Sequence, residues 1–483
     1  MTQIPSTPLS ATPGRAQALP SGTVRRLAAG LVGTALVPDD EGYAAACAGF
    51  NRATWRRPDV VVLAAEAADV AAAVVFANEH DLPVAVMGTG HHGVRPFRHG
   101  VLVNTGRMDH VHVDAAGRRA FVGAGARWRD VVPLAAAHGL APVHGSSGSV
   151  GVVGFTLGGG LSPILGRKYG WGTDHVLALE AVTANGAVVR ASATENEDLF
   201  WALRGGRSTI GIVTAMEIAL LPVDGFAGGG LFFDGRDAER VLQAFEQVTA
   251  TAPEELTVSI AFLRLPALPG VPELLAGKFV VHVRVALIHD AAHLDRLLEP
   301  LRSAAPLLAD TVQPLSNEEF EHVHNDPEDP TPFSEQTAML SGLTPDVQRA
   351  LLAEVGAASE TGLHIVAIRH LGGALSRTSP SGRAVTTDDA SHVLWAVSIG
   401  MPDDDATGGG EAEALIEVMR PWSTGTRYLN YAPDDGHPEA AFAPEDWDRL
   451  QRIKAQVDPD GRFPAEQQEH EQHDQQHRHQ SGR

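Results

Sequence analysis

Two glycine-rich stretches contain the residues best suited to binding an anion and reacting with it. The first is Gly88-Thr89-Gly90-His91-His92-Gly93, and the second runs from Gly145 to Gly151 as Gly-Ser-Ser-Gly-Ser-Val-Gly. Consecutive small residues let backbone N–H groups converge on an anion such as a pyrophosphate. Two such loops flanking one pyrophosphate form a more specific pattern than either loop alone. The pair therefore predicts a site for a ligand that carries this group.

The first stretch also fits the dinucleotide fingerprint G-x-G-x-x-G, and Asp109 lies about 20 residues further on. That fingerprint requires its last glycine to open a helix. Only residues 94–100 separate the loop from the next predicted strand, and Pro96 lies in the middle of them. A parallel crossover needs at least about 10–12 residues including its helix. The spacing therefore argues against a Rossmann-type site.

The elements that must position these loops alternate between short strands and helices. Apolar runs predict strands at Val60–Leu63, Leu82–Met87 and Val101–Thr105, and Ala67–Glu79 has the i, i+4, i+7 pattern of a helix. A second helix is predicted from Trp128 to His138, where Gly139 is a plausible left-handed stop. Asn185-Gly186 is a hairpin signal between two further strands.

From about residue 224 to residue 420 the pattern changes to longer strands and amphipathic helices. The sequence predicts an antiparallel sheet covered by helices, an α+β arrangement. The triple glycines at 228–230 and 408–410 are interpreted as flexible connections. Residues 324–333, with three prolines and three acidic residues, are interpreted as a long surface loop. The predicted helices are Ala238–Thr249, Ala291–Leu301 and Pro345–Ala358, and the predicted strands are Val258–Leu263, Phe279–Leu287, His364–Arg369 and Val393–Ile399.

Composition excludes several classes of protein. The 483 residues include 37 basic and 59 acidic side chains, so the formal net charge is −22. This acidic balance argues against non-specific binding to nucleic acid or to an anionic membrane. No apolar run reaches the roughly 18–20 residues of a spanning helix. The single cysteine, Cys47, excludes an intramolecular disulfide framework and a cysteine-based metal centre.

Five ordered blocks of sequence resemble the flavoprotein family of p-cresol methylhydroxylase and vanillyl-alcohol oxidase, in particular its berberine-bridge-enzyme-like oxidases. The resemblance covers about Val60 to Phe463. Its blocks are the loop before His91, the stretch 150–160, the stretch 167–176, the stretch 198–214, and a C-terminal block that combines Tyr428-Leu429-Asn430-Tyr431 with residues 450–463. One small departure is Thr89-Gly90, which stands where the family has two glycines before the histidine.

The resemblance implies an α+β fold with a two-part FAD-binding domain, an antiparallel-sheet substrate domain with helices, and a C-terminal segment that returns to the FAD domain. We therefore expect the FAD-binding domain at 23–223, the substrate domain at 224–420 and the returning segment at 421–465. The Pro- and Ser-rich residues 1–22 and the His- and Gln-rich residues 466–483 are predicted to be disordered tails.

The resemblance also implies which residues bind FAD and how. His91 aligns with the histidine that carries the flavin covalently, and Ser147 stands where some relatives have a second linking cysteine. We therefore expect one linkage, through His91 only, because a serine is a far poorer nucleophile than a thiolate. The expected FAD-binding residues are Gly88, Thr89, Gly90, His91, His92, Gly145, Ser146, Ser147, Val150, Gly151, Gly154, Ile212, Asn430 and Tyr431.

Two tyrosines are the catalytic candidates. Tyr428 and Tyr169 match active-site positions of the family, and the prediction is that Tyr428 removes a hydroxyl proton with help from Tyr169. A phenol acts as a base only where its anion is stabilised. The candidates for that role are Lys168, Arg369 and the flavin site. On the strand His364–His370 only one of Arg369 and His370 can face the flavin, because side chains alternate.

The expected function is an FAD-dependent oxidase that takes a hydride from a CH–OH group of a small-molecule substrate, with O2 as acceptor. A modest side chain at Val150 favours O2 access. The alternatives are a flavin dehydrogenase with another acceptor and a flavin-binding protein without turnover. Arg25-Arg26 resembles a twin-arginine leader, but an ordinary first helix broken by Gly30 and Gly33 is favoured, so we expect a cytoplasmic protein.

No metal is expected. His322 and His324 would lie on one side of an extended segment, but surface or packing roles are favoured over a metal site. The histidines of the C-terminal tail, at 470, 473, 477 and 479, are interpreted as solvated. Trp201 and Arg204 are expected to be scaffold residues.

Overall fold

The computed structural model describes residues 19, 21–54, 56–92, 97–267, 271–288, 291–379, 382–385, 389–400, 409–432 and 437–464. The predicted C-terminal tail and residues 1–18 and 20 of the predicted N-terminal tail lie outside the described residues, as does the first glycine of 408–410. Helix α1 begins at Ser21 and ends at Ala29, directly before Gly30. None of the described helices is long and apolar enough to span a bilayer.

A four-stranded sheet in the order β1-β2-β4-β3 supports the first glycine-rich loop. Strands β2, β3 and β4 are parallel, and β1 is antiparallel to β2. Strands β3 and β4 pair in parallel although only residues 88–100 connect them, a connection that the spacing argument treated as too short for a parallel crossover. No helix begins at 88–92 or 97–100. The elements are β1 (Thr34–Leu36), α2 (Tyr43–Cys47), β2 (Val60–Leu63), α3 (Ala67–Glu79), β3 (Val84–Met87) and β4 (Val101–Asn104).

A five-stranded antiparallel sheet in the order β5-β6-β10-β8-β9 carries the second loop and its flanking helices. The hairpin between β8 and β9 turns at Asn185-Gly186 as predicted, with Gly186 at φ 81°. Helix α4 ends just before Gly139, which adopts φ 67°. The elements are β5 (Val111–Asp114), β6 (Arg119–Gly123), α4 (Trp128–Ala136), β7 (Leu140–Ala141), α5 (Val152–Leu157), α6 (Gly166–Tyr169), β8 (Val176–Val182), β9 (Val188–Ser192), α7 (Glu197–Gly206), β10 (Ile212–Ala219) and β11 (Leu221–Pro222).

An eight-stranded antiparallel sheet, in the order β15-β12-β14-β13-β18-β19-β17 with β16 beside β12, lies in the part of the chain where the substrate domain is expected. Helices cover one face and bury an apolar core there. The elements are β12 (Phe226–Asp234), α8 (Ala238–Thr251), β13 (Leu256–Arg264), β14 (Phe279–Ile288), α9 (Leu294–Arg302), β15 (Leu307–Asp310), β16 (Gln313–Leu315), β17 (Phe333–Leu340), α10 (Pro345–Val355), β18 (Ile365–His370), β19 (His392–Ile399) and α11 (Gly409–Met419).

The glycines at 228–230 are not a flexible connection, as predicted, but lie inside strand β12. The interpretation was wrong because it ignored what faces these glycines. A Cβ at Gly230 would collide with the His282 imidazole, and one at Gly228 would collide with the Phe226 ring. Glycine is therefore required by close packing of side chains over the strand.

The C-terminal segment returns to the first sheet, as the resemblance implied. Helix α12 (Pro444–Val457) packs on α7, and the backbone N–H of Val84 donates to the carbonyl of Arg462 at 2.9 Å. Phe463 is buried in the core of the four-stranded sheet. The last described residues therefore brace the strand that leads into the first glycine-rich loop.

Candidate active site

A cavity of about 390 Å³ lies between the two glycine-rich loops and the helix-free face of the eight-stranded sheet. Residues 88–92 and 145–155 form one side, which we call the loop wall. Side chains of β17, β18 and β19 form the other side, which we call the sheet wall; they are Glu335, Ile365, Arg369, Trp395 and Val397. The cavity is within the range of about 300–1,000 Å³ that is usual for small-molecule sites.

The first loop is held by backbone contacts with residues 49–51. The N–H groups of Phe50 and Asn51 donate to the carbonyls of Thr89 and Gly90, each at 2.9 Å. Gly90 adopts φ 65°, and a Cβ there would lie 2.6 Å from the Cα of Gly49. Glycine is needed at this position because the backbones approach closely in a left-handed conformation.

His91 projects from this loop and is fixed on three sides. Its ring stacks on Phe50 with centroids 3.9 Å apart, Nδ1 lies 3.0 Å from Thr89 Oγ1, and Nε2 lies 3.0 Å from Ser149 Oγ. Burial, followed by the charges of Arg127 and Arg129, lowers the pKa of His91 to about 3. The imidazole is therefore neutral at physiological pH, which is the nucleophilic form.

The second loop is tied to the first through serine hydroxyls. Ser147 Oγ lies 2.8 Å from Ser149 Oγ, which in turn contacts His91. The loop then enters helix α5 at Gly151, whose N–H lies 3.3 Å from Thr89 Oγ1. Cys47 is buried against the four-stranded sheet and does not line the cavity. The side chain that hydrogen-bonds to Ser149 within this loop is therefore the hydroxyl of Ser147 and not a thiol.

Tyr428 reaches the cavity from the C-terminal segment with its phenol held by two donors. Its Oη accepts hydrogen bonds from the backbone N–H of Leu161 at 2.8 Å and from Asn430 Nδ2 at 3.0 Å. Asn430 is fixed in turn by Arg207, whose Nη2 donates to Asn430 Oδ1 at 2.6 Å. Burial raises the pKa of Tyr428 above its usual value, and the two donors only partly offset this effect. Tyr428 is therefore protonated at neutral pH.

Tyr169 does not line the cavity, so the structure does not bring the two predicted catalytic tyrosines together there. It ends helix α6, half-buried against the core, and its carbonyl accepts a hydrogen bond from His175. Lys168, a proposed stabiliser of a phenolate, instead pairs with Glu255 at 2.5 Å. The matching sequence block thus serves the packing of α6 against the substrate domain.

Of the two candidates on β18, Arg369 and His370, it is Arg369 that lines the cavity. Its guanidinium lies over the rings of Tyr431 and Trp395, at 5.3 and 5.8 Å from the centroids. His370 points away and contacts Arg167 Nη1 at 3.0 Å. Arg369 is therefore the cation that faces the site, and His370 has a structural position.

Glu335 connects the sheet wall to the first loop. Its carboxylate accepts from Trp395 Nε1 at 2.7 Å and lies 3.3 Å from His92 Nδ1. His92 therefore contributes its side chain to the cavity in addition to the expected backbone.

Residues 317–333 also contact the second loop, so the prediction that 324–333 is a surface loop was wrong in part. The N–H of Gly148 donates to Glu321 at 2.6 Å, and Ser146 Oγ donates to Asp326 at 2.5 Å. His324 is buried, whereas His322 is exposed on a 3₁₀ turn spanning 317–323. The two imidazoles thus do not share a side, and no metal-binding group of three His, Cys, Asp or Glu side chains occurs among the described residues.

Of the expected FAD-binding residues, all but Ile212 line the cavity. The side chain of Ile212 packs into the core of the first sheet, and its neighbours Gly211 and Val213 face the cavity instead. Sequence reasoning missed several lining residues. Only the strand register could have indicated Glu335 and Trp395. Phe155 and Arg207 lie inside two of the matched blocks but were not singled out there, and no sequence signal indicated Phe50, Arg56 or Asp326.

Comparison with known proteins agrees with this geometry. Residues 58–192 match the family described as FAD binding domain, and residues 427–468 match the family described as berberine and berberine like. (R)-6-hydroxynicotine oxidase of Paenarthrobacter nicotinovorans is 36% identical over 190 residues, which is 39% of this chain and 41% of that protein. The match thus spans about two fifths of the length of the first curated relatives.

Solved structures extend the likeness to almost the whole fold. Wild-type BBE-like 1 of Physcomitrella patens superposes with a TM-score of 0.79 at 22% identity, covering 92% of this chain and 98% of that one. Xylooligosaccharide oxidase from Myceliophthora thermophila C1, solved with xylobiose, gives the same values. Two segments of the chain therefore match an FAD-binding domain family and a berberine-like family, and the chain shares the fold of these solved structures. The resemblance and the α+β fold class predicted from the sequence are confirmed.

Proposed function

We propose that this chain, which joins an FAD-binding domain to a berberine-like C-terminal segment, is an FAD-dependent oxidase of small molecules that carry a CH–OH group. Alcohols, sugar hemiacetals and hydroxylated secondary metabolites are the substrate classes considered. The observation that carries the proposal is the cavity itself, which places a neutral histidine, a doubly hydrogen-bonded tyrosine and a cationic sheet wall around one space. Relatives named as a hydroxynicotine oxidase and a xylooligosaccharide oxidase support this class of reaction.

The described residues fit FAD. Gly88, Gly90, Gly145 and Gly154 line the cavity with backbone and no side chain, which is the kind of surface that an anion can approach closely. Arg56 lines the same cavity, is buried, and has its Nη1 without a hydrogen-bond partner among the described residues. A buried cation with a free donor suits the diphosphate of the cofactor. Bound FAD would supply the acceptor for a hydride from the substrate carbon.

The linkage is proposed to form through His91 alone. The pKa of about 3 keeps its imidazole neutral, and Phe50, Thr89 and Ser149 hold the ring in one orientation. Ser147 lies within the same hydrogen-bonded chain, but a hydroxyl at neutral pH is a weak nucleophile. The chain thus offers one competent nucleophile in the two loops.

Tyr428 is proposed to handle the proton of the substrate hydroxyl. Its two lone-pair positions are occupied by the Leu161 N–H and the Asn430 amide, so its own proton is free to point into the cavity. The same two donors stabilise a phenolate when the proton leaves. Arg369 supplies a positive charge on the opposite wall. The phenolate forms when Tyr428 releases its own proton to solvent before the substrate binds, and it then accepts the proton of the substrate hydroxyl.

Molecular oxygen is proposed as the final acceptor because the side chain of Val150, which lines the cavity, is of modest size. The test is a peroxide-coupled screen of alcohols, aldoses, oligosaccharides and hydroxylated aromatic compounds. We expect peroxide formation that falls by about 100-fold or more in Tyr428→Phe, the usual contribution of general acid–base catalysis. Bleaching of the yellow colour without peroxide would favour a dehydrogenase, and no bleaching by any compound would contradict the proposal.

A further inference from the structure

Four basic side chains gather on the cavity-facing side of the eight-stranded sheet, and we call them the buried cation cluster: His282, Arg284, His324 and Arg369. Arg284 on β14 is in register with Ser259 on β13, which is in register with Arg369 on β18. Directly opposed residues share a face, so both guanidiniums lie on the same side of the sheet. His282 lies two residues before Arg284 on that face, and His324 covers it from the segment after the 3₁₀ turn.

The cluster is deeply buried and poorly satisfied. Its four residues are 2–5% exposed. Among the described residues no hydrogen-bond partner is found for Arg284 Nε and Nη1, for Arg369 Nε, for His282 Nε2 or for either ring nitrogen of His324. Buried charges in proteins are normally paired and buried donors are normally bonded. The two guanidiniums therefore hold buried donors for which no acceptor is found among the described residues.

The nearest carboxylates are engaged elsewhere. Asp326 accepts from Ser146, and Glu335 accepts from Trp395 and lies beside His92. Neither forms an ion pair with Arg284 or Arg369 within 4.0 Å. Burial lowers the pKa of Arg284 only to about 10, so this guanidinium remains cationic at neutral pH. Burial holds the pKa values of His282 and His324 well below 6.5, so these rings are neutral.

We propose that the substrate carries a carboxylate, or a similarly planar acidic group, that binds Arg369. Arg369 is the cluster member that reaches the cavity, and Arg284 lies behind it and adds positive potential. The guanidinium is presented between the Trp395 and Tyr431 rings, and Ile365 and Val397 line the wall beside it. This surface suits a hydroxy acid with an apolar or aromatic body. The inference rests on the proposed function for the location of the reacting carbon but not for the binding of the acid.

The test is calorimetric titration of the purified yellow protein with benzoate and with its neutral counterpart, benzyl alcohol. We expect benzoate to bind at least 10-fold more tightly than the alcohol. Arg369→Met should raise the Kd for benzoate by about 10- to 100-fold, the usual cost of losing a charge-assisted hydrogen bond, and leave the Kd for the alcohol unchanged. Arg284→Met should give a smaller loss. Exposed Arg349→Met is the matched control and should have no effect.

Equal binding of the two compounds, no saturable binding of benzoate, or an unchanged benzoate Kd in Arg369→Met would each overturn the inference. If Arg369→Met does not fold, Arg369→Lys keeps the charge without the planar fork and should still weaken benzoate binding. Binding in the expected pattern by a protein that oxidises no compound would refute the oxidase and leave the acid site standing. Oxidation of neutral alcohols by a protein that binds benzoate no more tightly than benzyl alcohol would support the oxidase and refute the acid site.

Discussion

The two walls of the cavity are built on different principles. The loop wall consists of consecutive residues whose backbone atoms and small side chains are hydrogen-bonded to one another, as in the chain from His91 through Ser149 to Ser147. The sheet wall consists of side chains from three strands, brought together by register, behind which lies the unsatisfied buried cation cluster. The loop wall has a shape that is fixed by its own hydrogen bonds, which suits an invariant cofactor. The sheet wall has hydrogen-bond donors without partners behind it, which suits a variable substrate.

The largest expected effect tests the loop wall. His91→Ala should abolish covalent attachment of the flavin, because Ser147 is a weak nucleophile and the neighbouring His92 is directed at Glu335 instead. The measurement is flavin fluorescence of the denatured chain on a gel. The matched control is His92→Ala, which removes the neighbouring imidazole that contacts Glu335 and should leave the linkage intact. Covalent flavin retained in His91→Ala would place the link elsewhere.

The second prediction separates the two tyrosines. Tyr428→Phe should lower kcat by about 100-fold or more, because it removes the proton-handling group. Tyr169→Phe should change kcat by less than about 10-fold, because Tyr169 lies outside the cavity lining. Steady-state kinetics on one substrate decide between them. A large kcat effect from Tyr169→Phe with an intact flavin spectrum would contradict the placement described above.

The contrast between the walls also explains what the sequence could predict. The loop wall could be predicted because its lining comes from two runs of neighbouring residues: all eleven expected FAD-binding residues in these runs line the cavity, as do Asn430 and Tyr431 of the C-terminal segment. Ile212 failed because a strand alternates its faces, and the motif gave no register. Tyr169 ends helix α6 outside the cavity lining, and its part in catalysis stays a prediction that the kinetics above test.

The sheet wall was not readable in the same way. Glu335, Arg369 and Trp395 lie far apart in sequence and meet only through the pairing of β17, β18 and β19. Alternation reduced the choice on β18 to Arg369 or His370, and only the tertiary structure decided it. The glycines of β12 were interpreted as a linker because the packing that requires them is not visible in the sequence; the His282 ring that faces Gly230, for example, comes from another strand.

The third prediction concerns acid stability of the sheet side. Burial lowers the pKa of His370 to about 2 and of His392 to about 3, and holds those of His282 and His324 well below 6.5. The unfolded chain binds protons at these positions near pH 6.5, whereas the folded chain does not. Stability is therefore complete above about pH 6.5 and falls as the pH decreases, by up to about 1.4 kcal/mol per pH unit for each histidine.

Hydrogen exchange measured at pH 7.5 and pH 5 checks this. We expect strands β14, β18 and β19 to lose protection at pH 5 before β8 and β10, and the melting temperature to fall. If β8 and β10 lost hydrogen-exchange protection together with β14, β18 and β19 between pH 7.5 and pH 5, the expected difference in acid stability between the two sheets would be refuted.

The smallest predicted effect tests the glycine strand. Gly230→Ala should destabilise the fold by about 1–3 kcal/mol, because its Cβ would collide with His282. Gly342→Ala is the control, since no atom lies within 4 Å of a Cβ there and glycine adopts no positive φ at that position. Denaturant unfolding of both variants gives the comparison, and equal midpoints would mean that β12 adjusts freely.

The most direct test of the central claim is peptide mapping of the wild-type protein after acid precipitation. We expect a yellow precipitate in which one flavin is attached to the peptide that contains His91. The peptide that contains Ser147 should be unmodified. A colourless protein would contradict the flavin site itself, and a flavin attached to any other residue would contradict the assignment of His91 as the single nucleophile of the loop wall.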